Sequence, residues 1–351
     1  MHWLKKERFA LKSTEYEKGT LMSTATSSPK IPVEIIAHGS YHIGGKKVTI
    51  EGSDMKRISL WPGGPPVDYD PNGDFQAGQM YVLYTRLANP VLPYPVCMVH
   101  GGGASGALWE STQDGGPGWS FMFLQNGFNV NVSDGVERGR SSWAQFPEIN
   151  DGEPMFMSYD ERWTTYRLGP KPGVPFEGSR FDYSQYDQFM KQQVPRWTTS
   201  NEMVQAAYND YFKSMTDGCI ILAHSQGGLF SLEAALTCPE NIRGIVLLES
   251  SSTLDPNERD VSALEGIPTL FVYGDVLEDR YKIDGYYWPG QYAYEGSMKH
   301  LYEHLKAAGC DTEWMYLPDR GIYGNTHALM MENNSRQIAD LICDWLKKHV
   351  K

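Results

Sequence analysis

The sequence lacks a long apolar segment. None of its 351 residues belongs to a hydrophobic run of the roughly 20 residues that a membrane helix needs. The first residues, MHWLKKERFALKSTEYEKGT, are charged throughout and have no apolar centre of the kind found in a secretion signal. We therefore expect residues 1–30 to be a loosely ordered leader and the protein to be cytoplasmic, with no membrane span.

Positive charge is also scarce. The chain has 31 Lys and Arg residues against 43 Asp and Glu residues, which gives a formal net charge of −12. No basic stripe is present to contact phosphates, which excludes a nucleic acid or an anionic membrane as the expected partner. The expected partner is a small-molecule substrate, and a homodimer is left open.

Cysteines are few, and motifs for metals and nucleotides are missing. The five cysteines, at positions 97, 219, 238, 310 and 343, are scattered and include no C-x-x-C pair. No histidine–cysteine cluster has zinc spacing, and neither a G-x-x-x-x-G-K-[ST] loop nor a G-x-G-x-x-G turn before a helix occurs. We expect reduced core cysteines, no metal and no cofactor.

The most informative segment is CIILAHSQGGLF, residues 219–230. Its apolar first half predicts a strand buried on both faces, and the residues after Gly227 and Gly228 predict a helix. Ser225 lies at the turn between them, where its side chain and the first N–H groups of the helix share the same space. This arrangement is typical of a nucleophile next to part of an oxyanion hole.

Strands and helices alternate along the rest of the chain. We expect a hairpin within 31–60 that turns at Gly44 and Gly45. Further strands are expected at 79–87, 94–103, 128–135, 242–251, 267–275 and 312–319, and helices at 117–126, 296–309 and 335–349. This order predicts an α/β fold, a single domain over 31–351 with a mostly parallel central sheet flanked by helices. The aromatic-rich stretch 136–215 is predicted to be a cap insertion over the carboxyl ends of the strands.

A serine nucleophile needs a base and an acid that orients the base. The expected base is His327, in the GNTH turn between the last predicted strand and the final helix. Two carboxylates are candidates for the acid: Glu249, at the end of IVLLE, and Asp275, at the end of LFVYGD. For the oxyanion hole, the glycines after His100 predict a backbone donor at Gly102 or Gly103, together with the N–H of Gln226.

The pentapeptide AHSQG, residues 223–227, resembles the G-x-S-x-G elbow of α/β-hydrolases, with alanine in place of the first glycine. Over about residues 38–348, strings such as VHGGGASGALWESTQDGGPGWS and GNTHALMM resemble a group of bacterial serine esterases whose acid is a glutamate after strand six. The resemblance implies an α/β-hydrolase fold with Ser225 as nucleophile, His327 as base and Glu249 as acid, and Asp275 stays the alternative. The founding member has adjacent cysteines in its oxyanion hairpin, where this chain has glycines.

The expected activity is hydrolysis of a carboxylic ester or lactone through an acyl-enzyme. Aromatic residues in the cap and in the loop 281–296 indicate a substrate with an apolar or aromatic part. Trp109 and Trp119 are candidates for the substrate pocket, with core packing as their alternative role. The rival functions are a C–C hydrolase or lyase on the same scaffold, and a non-catalytic ligand-binding homologue.

Overall fold

An eight-stranded sheet forms the centre of the protein. The computed structural model describes residues 31–143, 146–150, 152–251, 254–278, 281 and 296–351, so the predicted leader 1–30 lies outside the described residues. The strands are β1 (Ile35–Ile50), β2 (Lys56–Ser59), β3 (Pro66–Tyr69), β4 (Gly73–Leu87), β5 (Val96–Val99), β6 (Val130–Asp134), β7 (Cys219–His224), β8 (Ile242–Leu248), β9 (Thr269–Tyr273) and β10 (Thr312–Tyr316). The sheet order is β1-β4-β6-β5-β7-β8-β9-β10, and β2 and β3 form a separate two-stranded ribbon.

The predicted direction of the strands is confirmed. β1 and β4 are antiparallel to each other and β4 is antiparallel to β6, whereas β6, β5, β7, β8, β9 and β10 pair in parallel. Because each parallel strand needs a crossover, helices cover both faces of the sheet. The helices are α1 (Ala107–Glu110), α2 (Trp119–Gln125), α3 (Tyr159–Thr165), α4 (Tyr186–Met190), α5 (Asn201–Lys213), α6 (Gln226–Ala235), α7 (Ser297–Ala307) and α8 (Ser335–His349).

The apolar strands serve two cores because their side chains alternate between the faces of the sheet. In β7, Ile220 and Leu222 join the cluster with α2 and α8, while Ile221 and Ala223 join the cluster with α5, α6 and α7. All six residues of β7 are buried. An uninterrupted apolar run is therefore what a central strand with two covered faces requires.

The expected hairpin at Gly44 and Gly45 is wrong. β1 runs through both glycines and pairs with β4 along its whole length, with Gly44 opposite Gln79 and Lys46 opposite Ala77. Both glycines have positive φ, 71° and 84°, and a Cβ on Gly45 would lie 2.7 Å from the backbone nitrogen of Gln79. The glycines thus distort the strand where the two backbones approach closely. In the sequence, such a pair looks the same as a pair of glycines in a hairpin turn.

The described part of the stretch 136–215 contains three α-helices with different neighbours. Helix α5 packs on β1, β4 and α6, so it belongs to the layer that covers the sheet. Helix α3 begins with a capping box, in which Ser158 and Glu161 satisfy each other's backbone N–H groups. The part with α3 and α4 approaches the carboxyl end of the sheet through contacts described below. The boundaries of a cap remain a prediction.

All five cysteines carry free thiols, and Cys97, Cys219, Cys238 and Cys343 are buried. Cys310 is partly exposed, so the expectation of core cysteines holds for four of the five. Among the helices that the structure describes, none is long and apolar enough to cross a membrane.

Candidate active site

Ser225 occupies a strained turn between β7 and α6. Its φ of 52° and ψ of −125° lie outside the ordinary regions for a residue with a side chain, and α6 begins at the next residue. A Cβ on Gly227 would lie 2.6 Å from the carbonyl oxygen of His100, so the turn needs a glycine there. The predicted strand, turn and helix are confirmed, and the serine is partly exposed at the end of the strand.

His327 lies within hydrogen-bond distance of the serine. Its Nε2 is 2.8 Å from Ser225 Oγ. Two hydrogen bonds hold the backbone of His327 in place. Its N–H donates to the carbonyl of Tyr166 at 3.2 Å, and its carbonyl accepts from the His224 Nε2–H at 2.8 Å. Burial lowers the pKa of His327 well below its usual range, and the charges of Arg167 and Arg162 add to this effect. The imidazole is therefore neutral at pH 7 and able to accept a proton.

Glu249 faces the other nitrogen of the imidazole. Its Oε2 is 3.5 Å from His327 Nδ1, and its Oε1 accepts a hydrogen bond from the backbone N–H of Gly274 at 2.7 Å. The residue follows β8 with a positive φ of 47° and is almost fully buried. The same Oε2 also forms an ion pair with Arg167, so the carboxylate is shared between a histidine and an arginine.

Asp275, the alternative acid, has a different set of contacts. Its Oδ1 accepts hydrogen bonds from the backbone N–H groups of Gly324 at 2.8 Å and Asn325 at 2.9 Å. These two residues are the first two of the GNTH turn that ends in His327. The structure therefore brings Glu249, and not Asp275, to the imidazole, and Asp275 instead holds the loop that carries the histidine.

The glycine turn after β5 passes directly beside Ser225. We call Gly101–Gly103 the oxyanion hairpin, after its predicted role. A Cβ on Gly101 would lie 3.0 Å from the Cβ of Ser225. Within the described part of the chain, the backbone N–H groups of Gly102, Gly103 and Gln226 donate to no acceptor. Free N–H groups next to a nucleophile are what an oxyanion hole offers.

His100 ties the start of this hairpin to the neighbouring loop. Its Nδ1–H donates to the Gly101 carbonyl at 2.9 Å, and its Nε2 accepts from the N–H of Gly135 at 2.9 Å. Burial lowers the pKa of His100 to about 4. The side chain is therefore neutral, with one nitrogen as donor and the other as acceptor.

Sequence reasoning missed one segment that contacts the base, the acid and the oxyanion hairpin. We call residues 162–167 the α3 segment. Arg162 donates to the carbonyls of the oxyanion hairpin, the Tyr166 ring packs edge-on against His327 with centroids 5.2 Å apart, and Arg167 pairs with Glu249. Arginine and tyrosine at the end of a helix are ordinary, and no local signal in the sequence pairs them with residues far along the chain.

A further arginine lies beside Gln226. The Gln226 carboxamide, oriented with its oxygen toward Arg196, accepts from both terminal nitrogens of the guanidinium, at 3.1 and 2.6 Å. Arg196 is held in place by a pair of backbone hydrogen bonds with Met155. The positive charge of Arg196 therefore contacts Gln226, the residue that directly follows Ser225.

The predicted pocket residues are found in the core or lie outside the described part. Trp109 and Trp119 have no exposed surface, and their rings pack 5.9 Å apart under the hairpin. No substrate could reach them in this arrangement, so their alternative role in core packing applies. The loop 281–296 lies outside the described residues except at its two ends. No group of three or more acidic, histidine or cysteine side chains in the described ranges is placed to hold a metal.

Comparison with known proteins gives two informative matches. No protein-family model matches the chain. The probable secreted lipase phiG of a fungal species is 26% identical over 346 residues, which cover 79% of this chain and 88% of the lipase. A solved structure described as a novel bacterial esterase is 28% identical, with a TM-score of 0.79, and the match covers 93% of this chain and 100% of that one. Both relatives are described by their names as acting on ester bonds.

Proposed function

We propose that this chain, a carboxylic ester hydrolase of the α/β-hydrolase fold, works through a Ser225–His327–Glu249 triad and an acyl-enzyme. The main support for this triad is the 2.8 Å distance between His327 Nε2 and Ser225 Oγ. A base at this distance from a hydroxyl is able to take its proton during attack on a carbonyl.

The first half of the reaction forms the acyl-enzyme. Ser225 Oγ attacks the ester carbonyl while His327 Nε2 takes the hydroxyl proton. The carbonyl oxygen becomes an oxyanion, which accepts hydrogen bonds from Gln226 N–H and from Gly102 or Gly103 N–H. Each such donor contributes about 3 kcal/mol to stabilising the transition state. The imidazolium then gives its proton to the leaving alcohol.

The second half releases the acid. Water attacks the acyl carbonyl, and His327 takes a proton from the water and returns it to Ser225. Glu249 holds the Nδ1–H tautomer of the imidazole and stabilises the imidazolium that forms in each half. Arg167 holds the same carboxylate in place through its ion pair, and the low pKa of His327 keeps the resting base unprotonated.

For the substrate, we propose an ester or lactone with an apolar or aromatic part. The support comes from the rings that surround the α3 segment. Tyr166 packs edge-on against both His327 and Phe189, and Trp163 packs against Tyr183 and Tyr186. Tyr183 and Tyr186 keep part of their surface exposed, whereas Tyr166, Phe189 and Trp163 are buried behind them. The accessible rings of this cluster favour an apolar group on the substrate.

The experiment is hydrolysis of p-nitrophenyl esters of increasing chain length by wild type, Ser225→Ala, Glu249→Gln and Asp275→Asn. We expect kcat to fall by about 10⁴-fold or more in the serine variant and substantially in the glutamate variant. Asp275→Asn keeps an oxygen for the two amides that it holds, so its kcat should stay within a few-fold of wild type.

Three results would count against the proposal. A larger loss in Asp275→Asn than in Glu249→Gln would move the acid to Asp275. Cleavage of a 1,3-diketone in preference to esters would favour the C–C hydrolase. Tight binding of an ester without turnover, and no labelling of Ser225 by a fluorophosphonate, would favour a non-catalytic binding protein.

The location and the assembly of the protein are also proposals. Five free thiols support a reducing, cytoplasmic environment, whereas the fungal relative is described as secreted. Fractionation of the source cells decides between the two locations. Light scattering tests whether the chain forms the homodimer left open by the sequence.

A further inference from the structure

We propose that Arg162 is a positioning residue that clamps and polarises the oxyanion hairpin, and that glycine at position 103 is what makes room for it. The inference rests on the proposed esterase function, because it concerns the donors of that reaction's oxyanion hole. Arg162 is not part of the triad, so the proposal adds a residue to the site.

The first step is that Arg162 is buried without an acid. Its side chain is 2% exposed, and it forms no ion pair within the described ranges of the chain. Its Nη1 donates to the Gly102 carbonyl at 3.3 Å and its Nη2 to the Gly103 carbonyl at 3.4 Å. The guanidinium also lies over the Tyr166 ring, 5.2 Å from its centroid. Burying a cation is costly unless polar groups offset the lost water, and here the hairpin carbonyls do so.

The second step is the chemistry of the peptide that Arg162 holds. The carbonyl of Gly102 and the N–H of Gly103 belong to the same amide group. A cation that binds the carbonyl oxygen draws electron density away from the nitrogen, so the N–H becomes a stronger donor. The positive charge also favours an anion on the N–H side of the group. The clamp therefore acts on the transition state more than on the neutral ester.

The third step explains the glycine. Gly103 has a φ of 66°, and a Cβ built on it would overlap the Arg162 guanidinium. Any side chain at position 103 would therefore have to displace the arginine. The Gly103 carbonyl also accepts from the N–H of Val194 at 3.1 Å, so a second segment holds the same turn. Gly103 and Arg162 form a matched pair although 59 residues separate them in sequence.

The test compares Arg162→Met and Arg162→Lys with wild type on a p-nitrophenyl ester. A trifluoromethyl ketone, which forms an oxyanion on the serine, and the methyl ketone of the same chain length serve as inhibitors. In Arg162→Met we expect kcat to fall by about 10- to 100-fold, less than for loss of a direct donor, with KM within about threefold. The affinity for the trifluoromethyl ketone should fall in parallel with kcat, and that for the methyl ketone should not change. The lysine variant, which keeps the charge, should recover part of the loss.

The matched control is Arg180→Met, since Arg180 also donates to a carbonyl, that of Tyr323 at 3.1 Å, but on the surface. It should leave every parameter unchanged. Gly103→Ala should lower kcat strongly in wild type and much less in the Arg162→Met background, because the arginine is then no longer displaced. A folded Arg162→Met with wild-type kcat, or an equal loss of affinity for both ketones, would overturn the clamp while leaving the esterase proposal intact. A wild type with no turnover would overturn both.

A different observation supports a second proposal: we infer that Arg196 binds a carboxylate on the substrate, in addition to the apolar contacts. Arg196 is half-buried beside Gln226 and makes no ion pair among the residues that the structure describes. Arg138, which donates to the Pro195 carbonyl at 2.9 Å, is a second cation nearby. Repulsion between the two arginines contributes, after burial, to lowering the pKa of Arg138 to about 10. The neighbouring Glu137 offsets part of the charge of Arg138, whereas Arg196 has no such partner in the described part of the chain. In a chain with a net charge of −12, an arginine without a described ion pair beside Gln226 favours an anionic substrate.

Two pairs of esters test this inference. Mono-p-nitrophenyl adipate against p-nitrophenyl hexanoate places the carboxylate on the acyl side, and 4-carboxybenzyl hexanoate against benzyl hexanoate places it on the alcohol side. We expect wild type to prefer the anionic member of at least one pair by tenfold or more in kcat/KM. Arg196→Gln should abolish that preference while hydrolysis of the neutral ester stays within about threefold, and Arg180→Gln should have no effect. A wild type that prefers the neutral member of both pairs would overturn the carboxylate site alone.

Discussion

The ion pair between Arg167 and Glu249 predicts how hydrolysis depends on pH. Arg167 contacts the carboxylate oxygen that faces His327 Nδ1, so its charge opposes protonation of the imidazole. We consider Arg167→Met, which removes the charge and keeps an apolar side chain of similar length. Without the cation, the histidine is the one charged partner that Glu249 keeps among its described contacts, beside the backbone N–H of Gly274. The pKa of His327 should therefore rise, and the acid limb of kcat/KM should move to higher pH.

The size of the shift follows from the geometry. Glu249 Oε2 is 3.5 Å from His327 Nδ1, and a hydrogen-bonded contact adds about 3 Å at most, so the guanidinium lies within about 6.5 Å of the ring. At an effective dielectric constant of about 20, two charges at that distance interact by about 2.5 kcal/mol, or somewhat under 2 pH units. We expect the acid limb to move upward by about 1 to 2 pH units.

The assay is kcat/KM for a p-nitrophenyl ester between pH 4.5 and 8.5, in wild type, Arg167→Met and Arg167→Lys. Leaving Glu249 buried without its partner costs about 3–5 kcal/mol, so the fold of each variant is first checked by circular dichroism at the assay temperature. The lysine variant keeps a positive charge and should shift less. An acid limb that stays in place in a folded Arg167→Met, or that moves equally in Arg167→Lys, would refute the electrostatic reasoning.

Three other residues give predictions for stability. Burial raises the pKa of Glu332 to about 8. Between about pH 5 and 8 the folded chain therefore holds a proton that the unfolded chain has lost. Over this range the free energy of unfolding falls as pH rises, by at most about 1.4 kcal/mol per pH unit. In urea melts, Glu332→Gln should remove that slope, and an unchanged slope would contradict the assignment. For His100 the pH dependence of stability has the opposite sign. Because its pKa is about 4, the free energy of unfolding decreases as pH falls from about 6.5 to 4, and it should decrease less in His100→Gln than in wild type. Gly227→Ala should cost about 1–3 kcal/mol, since its Cβ would lie 2.6 Å from the His100 carbonyl; a melt equal to wild type would show that the turn can shift.

The sequence allows the site to be predicted where local chemistry is unusual. A serine at the end of an apolar run, with two glycines after the next residue, identifies the turn at Ser225. The strands around it are predictable because both of their faces are buried. Gly44 and Gly45 misled the prediction because glycines that distort a strand and glycines that turn a hairpin have the same composition. The sequence leaves two candidates for the acid because Glu249 and Asp275 both end apolar strands. Only their partners in space, an imidazole for one and two backbone amides for the other, distinguish them.

The contacts of Arg167 were beyond sequence reasoning for a similar reason. The arginine pairs with a glutamate 82 residues away, and nothing near either residue indicates the other. Contacts of this kind depend on how the crossover segment docks on the sheet, which no periodicity in the chain encodes.

The α3 segment has a consequence for how activity is lost. Three of its six residues, Arg162, Tyr166 and Arg167, contact the oxyanion hairpin, the base and the acid. The nucleophile belongs to the turn between β7 and α6. The machinery is thus divided between the end of a central strand and a short segment of the crossover that packs against it. Segments of the second kind detach at a lower free energy than the sheet unfolds. Denaturant should therefore abolish turnover while the sheet is still intact, and the enzyme should regain activity on dilution as fast as one helix can redock.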